Sequence, residues 1–293
     1  MHKAGFVNIV GNPNVGKSTL MNRLVGEKIS IATFKAQTTR HRIMGIVNDK
    51  DSQIVFSDTP GVLKPNYKMQ EMMLAFSESA LADADILLYV TDTVEDPTKN
   101  MDFLEKVGKM TIPVIVLINK IDESNQQTVA GLADKWHELL PKAEILPISA
   151  TNNFGISALL KRIRELLPDS PPFFDKDTLT DKPARFFVSE IIREKILRYY
   201  DKEIPYSVEV VVERFKEDDR CIHINAVIYV ERDSQKGIII GHQGMALKKV
   251  STEARKSLEK FFGKKIFLET FVKVDKDWRN SQRELDNFGY NPQ

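Results

Sequence analysis

The most specific chemistry in this 293-residue sequence sits near its start, in Gly11-Asn12-Pro13-Asn14-Val15-Gly16-Lys17-Ser18 followed by Thr19. The two glycines let a backbone close tightly around an anion and aim N–H groups at it. The apolar run 6–10 before them reads as a strand, and the residues from Lys17 onward read as a helix. The unpaired N–H groups of a helix N-terminus therefore point at the same place. In this pattern Lys17 reaches β and γ phosphates and the Ser18 hydroxyl holds Mg²⁺. Gly11, Asn12, Asn14, Val15, Gly16 and Thr19 line the phosphate path.

Three further motifs follow in order, each at the end of an apolar run. Asp58-Thr59-Pro60-Gly61 comes after the run 53–56. Its carboxylate is suited to Mg²⁺, bound through water, and the Gly61 N–H to sensing a γ phosphate. Asn119-Lys120-Ile121-Asp122 follows the run 114–118. The Asp122 carboxylate can accept from the N1 and N2 donors of guanine, a pair that adenine lacks, and unpaired buried donors make such a site selective. Ser149-Ala150 after the run 144–148 closes over the base from its other side. Between the first helix and the second motif lies Ala36-Gln37-Thr38-Thr39-Arg40. One threonine here is expected to reach Mg²⁺ when a γ phosphate is present, and Thr39 is taken as that residue. Lys17, Thr39, Gly61 and Asn14 are thus expected to serve hydrolysis of GTP. Where a water-orienting glutamine stands in Ras-like GTPases, directly after Asp-x-x-Gly, this chain has Val62. Intrinsic turnover should be slow, or depend on another source of positive charge.

The elements that must hold these motifs can be read from periodicity. Strands are expected at 6–10, 53–56, 86–90, 114–118 and 144–148, with helices at 17–24, 69–81, 100–108, 128–140 and 155–166. Interleaved strands and helices imply a mostly parallel sheet covered on both faces. Residues 45–48 should pair antiparallel with 53–56 as an edge hairpin, so the first domain, 1–167, is expected to be an α/β P-loop NTPase of Ras-like type with a mixed six-stranded sheet. Four of the chain's thirteen prolines fall between positions 167 and 183, which suits a linker over 168–184. Beyond it, in a second domain over 185–293, a helix is expected at 186–200, strands at 208–215 and 221–230, a long helix at 244–262, a strand at 265–274 and a short tail.

In that second domain, an apolar turn ending at Ile240 leads into Gly241-His242-Gln243-Gly244 and then Lys248-Lys249. A Gly-x-x-Gly loop before a helix can clamp the backbone of single-stranded RNA, as KH domains do. Local charge supports it: positions 236 to 273 hold nine basic residues against three acidic ones, in a chain whose formal net charge is +1. Ile240, Gly241, His242, Gln243, Gly244, Lys248 and Lys249 are the expected RNA contacts.

Composition adds boundaries. With 42% hydrophobic and 28% charged residues the chain is globular rather than disordered. The lone Cys221 excludes an intrachain disulfide framework and reads as a small buried hydrophobe in a strand. The first ten residues run straight into a strand without the pattern of a signal peptide, and no apolar stretch has the length of a membrane span, so a cytoplasmic protein is expected.

Taken together, Gly-Asn-Pro-Asn-Val-Gly-Lys-Ser-Thr, Lys35-Ala-Gln-Thr-Thr-Arg-His-Arg42, Asp-Thr-Pro-Gly, Asn-Lys-Ile-Asp and Ile-Gly-x-x-Gly with Glu253-Ala-Arg-Lys resemble the Era family of bacterial GTPases over essentially the whole chain. The resemblance implies an α+β type II KH domain of order α-β-β-α-α-β after the GTPase domain. It also implies binding to the 3′ end of 16S rRNA, a role in assembly of the 30S ribosomal subunit, and a monomer with some peripheral membrane association. It further implies K⁺ beside the phosphates, held by Asn14 and backbone oxygens of residues 33–38, with a hydrophobic residue in place of the catalytic glutamine.

Other classes explain less. A P-loop kinase or metabolic ATPase would lack Asn-Lys-x-Asp. A purely structural RNA-binding protein with a vestigial site would have no need of intact Lys17, Ser18, Asp58 and Asp122. A tRNA-modifying relative of the K⁺-dependent group would carry a different C-terminal domain.

Overall fold

The computed structural model describes residues 2–291; residues 1, 292 and 293, which the expected domain bounds include, lie outside the described residues. Two compact units form, divided after Asp181.

The first unit is built on strands β1 (Lys3–Gly11), β2 (Ile43–Asn48), β3 (Ser52–Asp58), β4 (Ile86–Asp92), β5 (Val114–Asn119) and β6 (Glu144–Pro147). Their order in the sheet is β2-β3-β1-β4-β5-β6. Only β2 runs antiparallel, paired with β3 in the expected hairpin. Helices cover both faces, so every residue of β3 and of β4 is buried, the polar ends of β3 included. These helices are α1 (Lys17–Val25), α2 (Lys68–Ala82), α3 (Met101–Gly108), α4 (Gln126–Leu139) and α5 (Ile156–Leu166). Strand β1 pairs with β3 on one side and β4 on the other, so chain direction across the sheet reverses at β1. Ligands of open parallel sheets bind at such a reversal, beyond the C-terminal ends of the strands. Gly11, Asp58, Asp92 and Asn119 are those ends.

The segment 168–184 is not the free tether that its prolines suggest. Proline forbids helix but suits extended backbone, and here that backbone lies against the sheet. Asp169 bridges Lys3 and Thr180 bridges Gly45. The Ile46 N–H donates to Leu179 O at 2.8 Å and the Gln53 side chain accepts from the N–H groups of Phe173 and Phe174. Phe173 packs its ring on Phe6 at 4.8 Å. The strap covers the hydrogen-bonding edge of β2 that would otherwise stand open. The first unit accordingly extends to Asp181 rather than ending at 167.

The second unit contains α6 (Ala184–Tyr199), α7 (Ile204–Ser207), β7 (Glu209–Glu217), β8 (Cys221–Val230), α8 (Asp233–Ile240), α9 (Met245–Phe262), β9 (Lys265–Val274) and α10 (Gln282–Asn287). Its sheet has the order β7-β8-β9, antiparallel between β7 and β8 and parallel between β8 and β9. Alternate residues of β8 (Ile222, Ile224, Ala226, Ile228 and Val230) meet Ile192 and Ile196 of α6 and Val250, Ala254 and Leu258 of α9 in one core. Three sequence expectations need correction here. The apolar turn before Gly241 is the end of a true helix, α8. The short tail is folded, with Trp278, Leu285 and Tyr290 fully buried and the Tyr290 hydroxyl 2.6 Å from Glu209 Oε2. Cys221 is only half-buried, because it opens β8 at the sheet margin.

Candidate functional site

The loop from Gly11 to Gly16 closes through backbone that side chains would obstruct. Gly11 has φ +143°, and a Cβ there would lie 2.1 Å from Val90 O; at Gly16, with φ +97°, it would lie 2.3 Å from Asn119 Nδ2. Asn14 is also left-handed, at φ 67°. Lys17, buried at the start of α1, donates to Gly11 O (3.0 Å) and Asn12 O (2.8 Å). Burial lowers its pKa to about 8, opposed by the charges of Asp58 and Glu95. Asn119 ties the loop to the sheet edge: its Nδ2 donates to Val15 O at 2.9 Å and its Oδ1 accepts from the Ala150 N–H at 3.0 Å. Lys120 is held by Asp92 at 2.7 Å. Ser149 and Ala150 are buried, while Asp122 is exposed between Lys120 and Glu123, two residues that line the pocket together with Asn14, Gly16, Ser18 and Thr19.

Three oxygens from three elements meet beside Lys17. Ser18 Oγ lies 2.8 Å from Thr39 Oγ1 and donates to Asp58 Oδ2 at 2.7 Å; Thr39 Oγ1 is 3.3 Å from the same carboxylate oxygen. Thr38 is turned elsewhere, onto Lys35 O at 2.5 Å and Thr33 Oγ1 at 2.7 Å. Asp58 is fully buried, and its other oxygen, Oδ1, has no hydrogen-bond partner among the described residues. Burial pushes its carboxyl above the usual range, offset by Lys17 and then by the Ser18 hydroxyl. Two hydroxyls and a carboxylate, one of whose oxygens is buried without a partner, form a donor set for a small hard cation, which would keep water and phosphate oxygens as its remaining ligands. The residues fit Mg²⁺.

Val62 turns its side chain into the core with Phe103, Leu104 and Tyr89, away from the pocket. Its N–H donates to Gly11 O at 3.0 Å, and its carbonyl accepts from Asn100 Nδ2 at 3.3 Å. Asn100 is one of four residues that motif reading missed, with Thr91, Asp92 and Glu95. It also donates to the Asn12 side chain. Glu95, which Thr91 holds at 3.0 Å, has its carboxyl raised chiefly by burial and drawn partly back by the neighbouring Asn12 amide. Asp92 shapes the turn carrying Glu95 by accepting from the N–H groups of Val94 and Glu95. The sequence did carry a signal for these residues, since polar Asp92 ends a wholly buried strand at the ligand edge and Glu95 comes three positions later.

In the second unit, the loop 241–244 makes a tight exposed turn. Gly241 has φ +70°, and a Cβ on it would lie 2.6 Å from Ala246 Cβ. Gln243 is left-handed at φ 50°. Gly244, at φ +74°, opens onto space in which a Cβ would meet no described atom within 4 Å. Ile240 is half-buried, and His242, Gln243, Lys248 and Lys249 are exposed. Lys249 Nζ stands 4.5 Å from the centre of the Tyr199 ring. The expected RNA contacts therefore cluster from the end of α8 through the loop into the first turns of α9, the geometry that lets a phosphate backbone approach a helix start.

The class defined by fold and site together is a P-loop GTPase followed by a KH domain, and the family models agree. A model described as 50S ribosome-binding GTPase matches residues 6–120, and one described as KH domain matches residues 203–279. A protein named GTPase Era, from Clostridium kluyveri, is 44% identical over 292 residues, covering 99% of this chain and 100% of that protein. Among solved structures, Era in complex with MgGDPNP and nucleotides 1506–1542 of 16S ribosomal RNA is 38% identical, with a TM-score of 0.95 and 99% of each chain covered. A single-residue variant of Aquifex aeolicus Era bound to GDP·AlF₄⁻ is also 38% identical, with a TM-score of 0.94 and coverage of 98% of this chain and 99% of that one. This chain belongs to the Era family, and it is a GTPase.

Proposed function

We propose that the second unit binds the 3′ end of 16S rRNA during assembly of the 30S subunit, and that GTP binding and hydrolysis in the first unit switch that binding. The meeting of Ser18 and Thr39 on Asp58 carries the reading, because it joins the phosphate loop to the loop 26–42 through groups a cation would bridge. The relative solved with MgGDPNP and nucleotides 1506–1542 of 16S rRNA supports the choice of RNA.

In this reading Ser18, Thr39 and Asp58 hold Mg²⁺, which when bound neutralises charge shared between β and γ oxygens. Lys17 leaves its carbonyl partners and turns its charge to the phosphates. The backbone N–H groups of Asn14, Val15, Gly16, Ser18 and Thr19 cradle the chain of phosphates, and the Gly61 N–H faces the γ position. Asp122 reads guanine while Asn119, Lys120, Ser149 and Ala150 shape its berth. With the Val62 side chain in the core, orienting the attacking water falls to main-chain groups, and turnover is slow. Asn14 lines one pocket with Ala32, Thr33 and Thr38, which suits a K⁺ ion held by its side chain and the backbone oxygens there. Gly241–Gly244 receives the RNA backbone, with Ile240, His242, Gln243, Lys248 and Lys249 around it. We take the protein to act as a monomer in the cytoplasm, with peripheral association with the inner face of the membrane.

Crosslinking the full chain to cellular RNA in GTP-analogue and GDP forms, followed by sequencing, tests this function. Recovery of the 3′ end of 16S rRNA, enriched in one nucleotide form, is expected; reads spread without preference over other RNAs would refute it.

A further inference from the structure

Asn100 occupies the N-cap position of α3, where an asparagine ordinarily turns its side chain onto its own helix. Here the side chain reaches away, donating to Asn12 in the phosphate loop and to Val62 O just after Gly61. The two partners lie 88 and 38 positions from Asn100 in sequence, so neither contact is a by-product of local geometry.

The orientation of Asn12 is also set from outside its loop. Its amide lies beside the Glu95 carboxyl, which Thr91 holds, and its amide oxygen accepts from Asn100. Asn12 is 2% exposed and Asn100 half-buried, so the contact is largely withdrawn from water. Around it the two backbones touch closely. The Val62 N–H donates to Gly11 O at 3.0 Å, and a Cβ on Gly61 would lie 2.7 Å from Pro13. Val62 thus has both main-chain groups engaged, one by the phosphate loop and one by Asn100. Its side chain is fixed in the core and offers nothing to water.

We propose that Asn12 and Asn100 form a latch that positions the Gly61–Val62 backbone for hydrolysis, taking over an alignment that the side chain after Asp-x-x-Gly cannot provide in this chain. Both are positioning residues: they act through the backbone they hold. A latch that aligns the reacting geometry changes kcat more than it changes binding, because substrate can occupy the pocket with the 61–62 segment misplaced.

The test compares Asn100→Ala, Asn100→Ser and Asn12→Ala, alone and combined, in the full chain under saturating Mg²⁺. Serine is a good N-cap, so Asn100→Ser preserves the start of α3, yet it is too short to span Asn12 and Val62 O. The latch predicts that kcat falls between about ten- and a hundredfold in both Asn100 variants, with KM and GTP-analogue affinity within about twofold of the parent chain. It also predicts that Asn12→Ala added to Asn100→Ala costs little more, since both break one bridge. An unchanged kcat, a kcat restored by Asn100→Ser, a fall expressed in KM instead of kcat, or fully additive losses would each overturn it. Thermal unfolding of Asn100→Ser at the parent temperature confirms that the comparison is made on folded protein.

Discussion

Ser18 Oγ and Thr39 Oγ1 stand 2.8 Å apart across 21 positions of sequence, and both face the same oxygen of Asp58. Each comes from a different element: the first turn of α1, the loop before β2 and the end of β3. A loop as polar as Ala36–Arg40 has no apolar reason to bury a threonine, yet Thr39 is 7% exposed. The buried carboxylate provides the reason, since a hydroxyl that donates to it offsets part of its desolvation. The arrangement gathers donors suited to one cation from residues far apart in sequence, and under the proposed function it would give nucleotide state a handle on the loop.

Ser18→Ala and Lys17→Ala should each weaken GTP-analogue binding in Mg²⁺ by roughly ten- to a hundredfold, the range for losing an interaction with a charged partner. Neither should unfold the protein, because Lys17 is more costly to bury than alanine and Ser18 is partly exposed. Calorimetric titration, with thermal unfolding alongside, measures both effects.

Affinity for GTP should depend on pH through Lys17. Its folded value of about 8 lies below the ordinary 10.5, so between these values the unfolded chain binds the proton and the folded chain without nucleotide does not. In that window stability of the protein without nucleotide rises with pH, while affinity for phosphates falls because the ammonium charge is lost. Dissociation constants measured at pH 7 and pH 9 should show weaker binding at the higher pH in the parent chain. The same change of pH should leave the weak binding of Lys17→Ala nearly flat.

Asp122→Asn should move base preference from GTP toward xanthosine triphosphate, since the amide donates where the carboxylate accepted. Competition of the two nucleotides against a fluorescent analogue reports the reversal. The exposure of Asp122 predicts that this variant keeps its fold.

Hydrolysis should be faster in KCl than in NaCl at matched ionic strength, with Asn14→Ala removing the difference. Phosphate-release assays in the two salts decide it. Equal rates would leave the left-handed Asn14 as a geometric part of the loop only.

Much of this was legible because P-loop chemistry compresses into short motifs at strand ends. Lys17, Ser18, Asp58 and Asn119 could be placed from a strand, a turn and a spacing each. The KH loop was legible from Gly241 and Gly244, but α8 before it was read as a turn. Its eight residues include Gly237 and place both Gln235 and Ile239 in the core, so no clean stripe betrays a helix. The strap over 168–181 was hidden for a different reason: proline density reports what backbone cannot be, while its pairing with β2 depends on residues more than a hundred positions away. A separation of 88 positions likewise hides the Asn12–Asn100 contact. A side chain that leaves its own helix to hold a remote loop has no local signature.

Control of RNA binding by nucleotide state can be measured by titrating a 16S rRNA 3′-end oligonucleotide against the full chain. The titration is made with Mg²⁺ and either a non-hydrolysable GTP analogue or GDP, with Gly244→Asp as the control. That substitution sets a negative side chain in open space where the phosphate path runs, at a left-handed φ of +74° that aspartate adopts more readily than most side chains. Binding about tenfold tighter or more is expected with the GTP analogue, corresponding to roughly 1.4 kcal/mol of coupling. Gly244→Asp should lose RNA binding with nucleotide affinity unchanged. Equal RNA affinity in the two nucleotide forms, or undiminished affinity in Gly244→Asp, would contradict the proposed function.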